Sequence, residues 1–418
     1  MGKTSKHITV FEHETVRFDK GEKKITRDQF YALEQYYGEG VPFFDLCYNG
    51  VKFNEHVGVL QVGRTLIEVL PKADKIKTKL SSEKRWRNIL IGMLKAVGDF
   101  SIKQTSSSDL KIRPNTILDL YFEMYIKEVE FLLHTGLVKK YRKIESNSTT
   151  LKGSLQFSKH IQQNLTHQER FYVRHNTYDA NHLLHLVLYK AIRLLSQINT
   201  NAALKSRIGA LLLYFPEMPD LKVTESTFNK IVFNRKTESY KKAIEIARLI
   251  LLQYHPDLGK GHNHVLALMF DMNDLWEQFI FVSLRKQNKV PGVIIKAQSS
   301  KYFWKPEKGF RTTVRPDIFI QQEGKNIILD TKWKNLNGAN PSTDDLRQMY
   351  VYSRYFDAKK VALVYPGDYG MRKGNYIQED SDSESKNECS LISIPVNDNI
   401  RDWQKMIHES IFCDWGLT

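Results

Sequence analysis

The segment from Val314 to Lys334 limits what this chain can fold into more than any other. Val314-Arg315-Pro316-Asp317-Ile318-Phe319-Ile320 and Ile327-Ile328-Leu329-Asp330-Thr331-Lys332-Trp333-Lys334 flank Gln322-Glu323-Gly324-Lys325-Asn326. Two β-type runs around a short polar turn with a glycine predict a hairpin. Centred between Glu323 and Gly324, it pairs Ile318 with Leu329 and Ile320 with Ile327 on a face that must be buried, and sets Asp317 opposite Asp330. Side chains alternate along a strand, so Lys332 shares a face with Asp330. Two carboxylates and an ammonium then meet on one patch. A metal-dependent phosphodiester hydrolase needs that set: acids for a hard cation and a lysine beside the attacking water. The bland alternative is a solvated face of paired charges, since Pro-Asp and Asp-x-Lys are both common.

The charge balance favours a polyanionic partner. Lys and Arg number 62 against 47 Asp and Glu, a formal net charge of +15 with a pI near 9.4. A surplus of that size suits phosphate neutralisation and counterion release, although a basic soluble protein with no such partner would share it. No apolar run reaches membrane-spanning length, and the N-terminus has no apolar signal core. It also departs from the myristoylation pattern at Lys6. Three separated cysteines (Cys47, Cys389, Cys413) exclude a disulfide framework and fit a reducing cytoplasm.

At 418 residues the chain is too long for one ordinary core. The patterning predicts a multidomain α+β protein in three segments: a β-rich N-terminal domain (1–78), a mostly helical middle region (79–258) and a C-terminal α/β domain (259–418). In the first, strand-like runs cover Ile8 to Phe11, Thr15 to Phe18, Phe43 to Tyr48, Val57 to Val62 and Thr65 to Leu70, with one short helix from Gln29 to Tyr37. A basic stretch follows: Lys72, Lys75, Lys77, Lys79, Lys84, Arg85 and Arg87, interleaved with Trp86. It could clamp a phosphate backbone or be a solvated linker. Helical patterns then cover Ile89 to Val97, Ile117 to Leu133 (capped by Asn115, stopped by Gly136), Leu183 to Leu195 and Ala243 to Leu252, with a hairpin or small sheet inserted between Lys143 and Phe157.

Two motifs are set aside. Gly2-Lys3-Thr4 lacks the earlier glycine and preceding strand of a phosphate-binding loop, so no nucleotide site is legible, and His262-Asn263-His264 has no matching ligands around it. In the last segment a helix from Asn273 to Leu284 carries Glu277 among Trp276, Phe279, Ile280 and Phe281. Burying that carboxylate is costly unless something binds it, while an exposed amphipathic face would leave it in water. Strand-like runs from Val293 to Lys296 and Tyr302 to Trp304 lead into the hairpin. Thr343 to Phe356 is helical with Gln348 and Tyr352 one turn apart, and Lys360 to Tyr365 suits a buried central strand. Residues 378–388 read as an acidic, Ser-rich mobile loop, before a strand from Leu391 to Val396 and a helix from Arg401 to Phe412.

Asp317, Asp330-Thr331-Lys332 and Gln348-x-x-x-Tyr352 together resemble the PD-(D/E)XK nuclease superfamily, in the arrangement of RecB-like nucleases. Phe270 to Glu277 followed by Arg315-Pro316-Asp317 and Asp330 to Lys334 is similar, more closely, to the McrC family. The likeness extends upstream to Val57 to Val62, Ile67 to Lys72, and Leu151-Lys152-Gly153 before Leu155-Gln156-Phe157. McrC proteins are the nuclease subunits of McrBC modification-dependent restriction systems. The resemblance implies a C-terminal restriction-endonuclease-like domain and an N-terminal part that docks on McrB, an AAA+ GTPase hexamer, and stimulates its GTP hydrolysis. GTP would be bound by the partner, and double-stranded modified DNA would be the substrate.

Carried over residue by residue, Asp317 and Asp330 would ligate Mg²⁺ (or Mn²⁺), with the Thr331 backbone carbonyl as a further oxygen ligand and Glu277 reaching the metal directly or through water. Lys332 would serve the attacking water, and Gln348 and Tyr352 would orient the catalytic strand or contact DNA. Lys72, Lys75, Lys77, Lys84, Arg85 and Arg87 are the candidates for phosphate contacts. Two other readings fit the same residues: an AAA+ adaptor that binds DNA without cutting it, and a RecB-like exonuclease that needs DNA ends.

Overall fold

The computed structural model describes residues 6–38, 40–63, 65–72, 79–97, 117–252, 254–255, 265–334, 340–378 and 381–416. Lys75, Lys77, Asn115, Gly2-Lys3-Thr4 and His262-Asn263-His264 lie outside them. The chain is a mixed α/β protein of two compact units: Met1–Ser106 together with Asp257–Thr418, and Ser107–Pro256. The three-segment division drawn from the sequence does not coincide with these units. Hydrophobic periodicity locates elements but carries no record of which distant strands pair. Among the described residues no helix is long and apolar enough to cross a membrane.

In the first unit the N-terminal strands and the C-terminal segment share a sheet. Lys6–Phe11 pairs parallel with Thr65–Leu70, Thr65–Leu70 antiparallel with His56–Val62, and His56–Val62 antiparallel with Val265–Asp271, Leu60 facing Ala267. His56–Val62 is buried along nearly its whole length, with Val57, Val59, Leu60 and Val62 in the core and Gln61 buried among them. Gly58 has φ +141, and a Cβ there would lie 2.1 Å from the Leu268 carbonyl oxygen, so the two strands close only on glycine. Helix Arg27–Gly38 begins in a reciprocal cap: the Gln29 N–H donates to Thr26 Oγ1 and the Thr26 N–H to Gln29 Oε1. It covers a core that includes Val10, Leu33, Val51, Phe53 and Leu60.

The C-terminal part of this unit is a seven-stranded sheet. Ile294–Ala297, Ile318–Gln322, Lys325–Thr331, Ala358–Pro366 and Ser381–Ile394 lie side by side in that order, with Met371–Arg372 beyond the last. Lys325–Thr331, Ala358–Pro366 and Ser381–Ile394 run parallel, with Val361 to Tyr365 fully buried at the centre. Helix Thr343–Tyr355 lays Met349 and Tyr352 on Ile328, Val361, Leu363 and Tyr365. Helices Met272–Gln287 and Ile400–Glu409 meet through Trp276 and Trp403, ring centroids 5.5 Å apart. Helix Lys79–Val97 adds Trp86, edge-on to Trp333.

The acidic 378–388 stretch is not a loop throughout. From Ser381 its backbone belongs to a long strand and pairs antiparallel with Asn375–Gln378, Ile377 opposite Glu384. Composition argues for a loop, but strand pairing runs through backbone groups that every residue of the stretch carries.

The second unit packs helices Ile117–Thr135, Leu183–Ile198, Ala202–Tyr214 and Lys241–Leu252. The Tyr125 hydroxyl donates to the Leu188 carbonyl at 2.7 Å, and Arg207 bridges buried Glu123 and half-buried Glu130. The inserted sheet has three strands, Lys140–Ser148, Phe171–Asp179 and Ser154–Leu155, the second in the middle. Lys140–Ser148 and Ser154–Leu155 fall in or beside the stretch expected to hold a hairpin, whereas Phe171–Asp179 has no period-two signal, because Arg174, His175, Asn176 and Thr177 follow one another.

Candidate active site

The hairpin forms in the expected register, Ile318 opposite Leu329 and Ile320 opposite Ile327. Its turn places Glu323 and Gly324 at φ +48 and +76. Ile328 packs under helix Thr343–Tyr355, and strand alternation sends Asp330 and Lys332 to the same side. The parallel ladder continues past the strand end, the Lys332 N–H donating to the Val364 carbonyl at 3.0 Å. That bond fixes the backbone from which the lysine projects.

Asp330 is 1% exposed. Lys332 Nζ pairs with its Oδ2 at 2.8 Å, and beyond that ion pair Oδ2 has no hydrogen-bond partner among the described residues. Across the hairpin, Asp317 Oδ2 accepts from the Thr331 N–H at 2.6 Å and the Thr331 hydroxyl at 2.9 Å. A relay runs on from the lysine. Lys332 Nζ donates to Gln348 Oε1 (3.3 Å), Gln348 Nε2 to the Tyr352 hydroxyl (2.7 Å), and that hydroxyl to the Arg315 carbonyl (3.1 Å). The structure thus brings together Asp317, Asp330, Thr331, Lys332, Gln348 and Tyr352.

Glu277 stands half-buried on helix Met272–Gln287. Its Oε1 accepts from Gln298 Nε2 at 3.1 Å, while the Gln298 N–H donates to the Asp317 carbonyl at 2.8 Å. Gln298 has φ +48 and escaped the sequence reading, since neither spacing nor residue type marks it. Burial, and then the charge of Asp317, push Glu277 up to about 7. Burial, and then Asp317, push Asp330 up to about 6; burial also raises Asp317. For Lys332, burial acts downward, but Asp330 and Asp317 outweigh it and raise the ammonium above its ordinary value. Among the described residues no three His, Cys, Asp or Glu side chains cluster closely enough to hold a metal ion jointly. Glu277 therefore belongs to the field of the two aspartates rather than to one tight three-carboxylate cage.

The basic stretch is divided. Arg87 is spent on buried Glu68, with Nη2 2.5 Å from Oε2, and Arg85 pairs with Asp398 at 2.6 Å. Lys72 and Lys84 are exposed. Neither carboxylate partner is legible from the basic stretch itself, since Asp398 lies far along the chain and Glu68 on the preceding strand.

A second connection also went unseen. Beside Lys332, the Trp333 N–H donates to Asn273 Oδ1 (3.2 Å), and its indole Nε1 donates to Glu12 Oε1 (3.2 Å). The same Glu12 oxygen accepts from the Lys72 N–H at 2.7 Å. Burial pushes Glu12 up from its usual 4.5 to about 7. Folding therefore takes up a proton between those values. The stabilising contribution is fully present below about 4.5 and is lost as pH rises through 7. Glu12→Gln keeps an oxygen for both donors and removes the buried charge. We expect it to stabilise the chain at pH 8 by roughly 2–3 kcal/mol and to leave stability at pH 4.5 nearly unchanged. Paired thermal melts at the two pH values check this, and equal shifts at both would contradict it.

A family model described as McrBC 5-methylcytosine restriction system component matches residues 51–366. No curated protein matches the chain. Among solved structures, a chain of the refined half-complex from the tetradecameric assembly of Thermococcus gammatolerans McrB AAA+ hexamers with bound McrC is similar in fold. The match covers 97% of this chain and 99% of that one, at 21% identity and a TM-score of 0.70. A chain of the cryo-EM structure of the Thermococcus gammatolerans McrBC complex matches over 67% and 87%, at 21% identity and a TM-score of 0.48.

Proposed function

The chain belongs to the McrBC 5-methylcytosine restriction system component family, and from that premise we propose that it is the Mg²⁺-dependent DNA-cleaving subunit of a McrBC-like system. In this reading its C-terminal part is a PD-(D/E)XK nuclease, acting with a McrB-type AAA+ GTPase hexamer that binds the GTP and carries the reader of modified DNA. The similar Thermococcus assembly joins McrC to McrB hexamers, which supports the choice of partner. One observation carries the chemistry: Asp317, Asp330 and Lys332 converge where the hairpin meets the central strand, with Lys332 held by the Gln348–Tyr352 relay.

The residues present fit a hard divalent cation. Asp330 Oδ2 is buried with no hydrogen-bond partner among the described residues beyond its ion pair with Lys332, and two carboxylates raised by burial, Asp330 also by the charge of Asp317, gain most from a positive charge. Mg²⁺ asks for one or two carboxylates and keeps its waters. Asp317, Asp330 and the Thr331 carbonyl would hold it, with Glu277 reaching it through water. What the ion supplies when bound is a lowered water pKa and charge stabilisation on the phosphate. Lys332 positions the attacking water and faces the negative charge that builds on the phosphoryl oxygens. Gln348 and Tyr352 hold the ammonium in place, and Thr331 fixes Asp317.

The reading is tested with circular methylated plasmid, the chain, a McrB-type partner, GTP and Mg²⁺. We expect linear product, formed faster as pH rises from about 6 to 8, because Asp330 and Glu277 must shed protons with values near 6 and 7 before serving a cation. An intact circle beside a degraded linear control would point to an end-dependent exonuclease. DNA binding and GTPase stimulation without any cutting would point to an adaptor.

A further inference from the structure

Between the strand Ile294–Ala297 and the catalytic hairpin, the chain makes a second hairpin from Lys301–Trp304 and Thr312–Val314, a two-stranded ribbon of its own. Such a ribbon alone is marginal in water, yet this one exposes Tyr302 (66%), Phe303 (46%), Trp304 (58%) and Phe310 (98%). Large aromatics grouped on a surface mark a binding site. The ribbon is anchored from below. Lys301 Nζ donates to the Tyr355 carbonyl at 2.8 Å, and Phe303 meets Tyr355 edge-on at 5.2 Å. The register shifts at Phe303, between Tyr302 and Trp304; such a bulge re-aims a side chain. Phe303, Arg315, Gln348 and Tyr352 line a cleft of about 710 Å³, so the aromatic ribbon and the lysine relay share a wall.

Charge selects the occupant. Residues 301–315 contain Lys301, Lys305, Lys308, Arg311 and Arg315 against the single acid Glu307, and Arg311 lies over the Tyr302 ring at 5.1 Å. Exposed aromatics among cations suit the π-face of an unpaired nucleobase and the phosphates beside it. An apolar protein partner would find too many charges. We propose that the 301–314 hairpin is a stacking platform that takes an unpaired DNA base next to the scissile phosphate. This rests on the nuclease reading for its location, and adds that the DNA is locally unstacked where it is cut.

The test uses the full chain in EDTA and fluorescein-labelled duplexes of equal length, one fully paired and one with a few central unpaired nucleotides. Wild type is expected to favour the unpaired duplex. Phe310→Ala, fully exposed and so harmless to folding, and Trp304→Ala should each weaken that binding roughly tenfold, with less than about twofold effect on paired DNA. Lys308→Gln should weaken both substrates alike. Equal losses on both duplexes for the aromatic variants, or no preference in wild type, would overturn the platform. So would unchanged DNA binding with lost self-association in sedimentation, which would give the ribbon to a second copy of the chain. Asp330→Ala separates the two claims. If it abolishes cleavage while wild type shows no preference, the platform falls and the nuclease stands. If it cleaves normally while the aromatic effects hold, the nuclease assignment falls.

Discussion

Asp330→Ala and Lys332→Ala will each reduce double-strand cleavage by about a thousandfold or more in the complex reconstituted with a McrB-type partner, and will leave GTPase stimulation intact. Removing a single group aimed at developing charge costs about 10²–10³ in rate, and each of these residues also holds the other, 2.8 Å apart. Neither loss should unfold the protein. Burial and the neighbouring Asp317 already raise Asp330 to about 6, so deleting it relieves a strained charge. Lys332 is one-quarter exposed, and alanine leaves its backbone bond to Val364 in place. Cleavage surviving in both variants would remove the site from these residues altogether. Loss of GTPase stimulation along with cleavage would show that the substitutions had damaged the fold.

Trp276→Ala carries the largest expected cost in stability. The indole is fully buried, with ring centroids 5.4 Å from Trp333, 5.5 Å from Trp403 and 6.2 Å from Phe279. Its Nε1 donates to the Val364 carbonyl at 3.4 Å. Truncating such a side chain costs about 3–5 kcal/mol through lost burial and the cavity left behind. Val364 also accepts from the Lys332 N–H, and Trp333 is the next residue, so cleavage should fall with stability. Urea unfolding beside a cleavage assay checks both. A loss below about 1 kcal/mol would mean that the tryptophan cluster does not act as a core.

The hairpin was legible because everything it needs is local. The turn glycine, the period of two and the pairing of Ile318 with Leu329 all lie within one short stretch. Helices Met272–Gln287 and Thr343–Tyr355 were legible from their apolar stripes and placed Glu277, Gln348 and Tyr352. What stayed hidden depends on distance along the chain. The pairing of Val57 to Val62 with Val265 to Phe270, the Glu12–Trp333 contact and the capture of Arg87 by Glu68 leave no periodic trace in either partner. Gln298 was hidden for another reason: its value lies in a left-handed backbone and two hydrogen bonds, and no residue type announces those.

The shared sheet has a consequence for synthesis on the ribosome. His56–Val62 finds its second neighbour only when Val265–Asp271 has emerged, roughly 200 residues later. At about 5–20 residues per second that is a wait of some 10–40 s, during which one edge of a mostly apolar strand stands open to other nascent chains. The Ser107–Pro256 unit is made within that interval and can fold while the strand waits. Slowing translation through residues 107–256 with rare codons should therefore lengthen the exposure and lower soluble yield, whereas the same change after residue 271 should not.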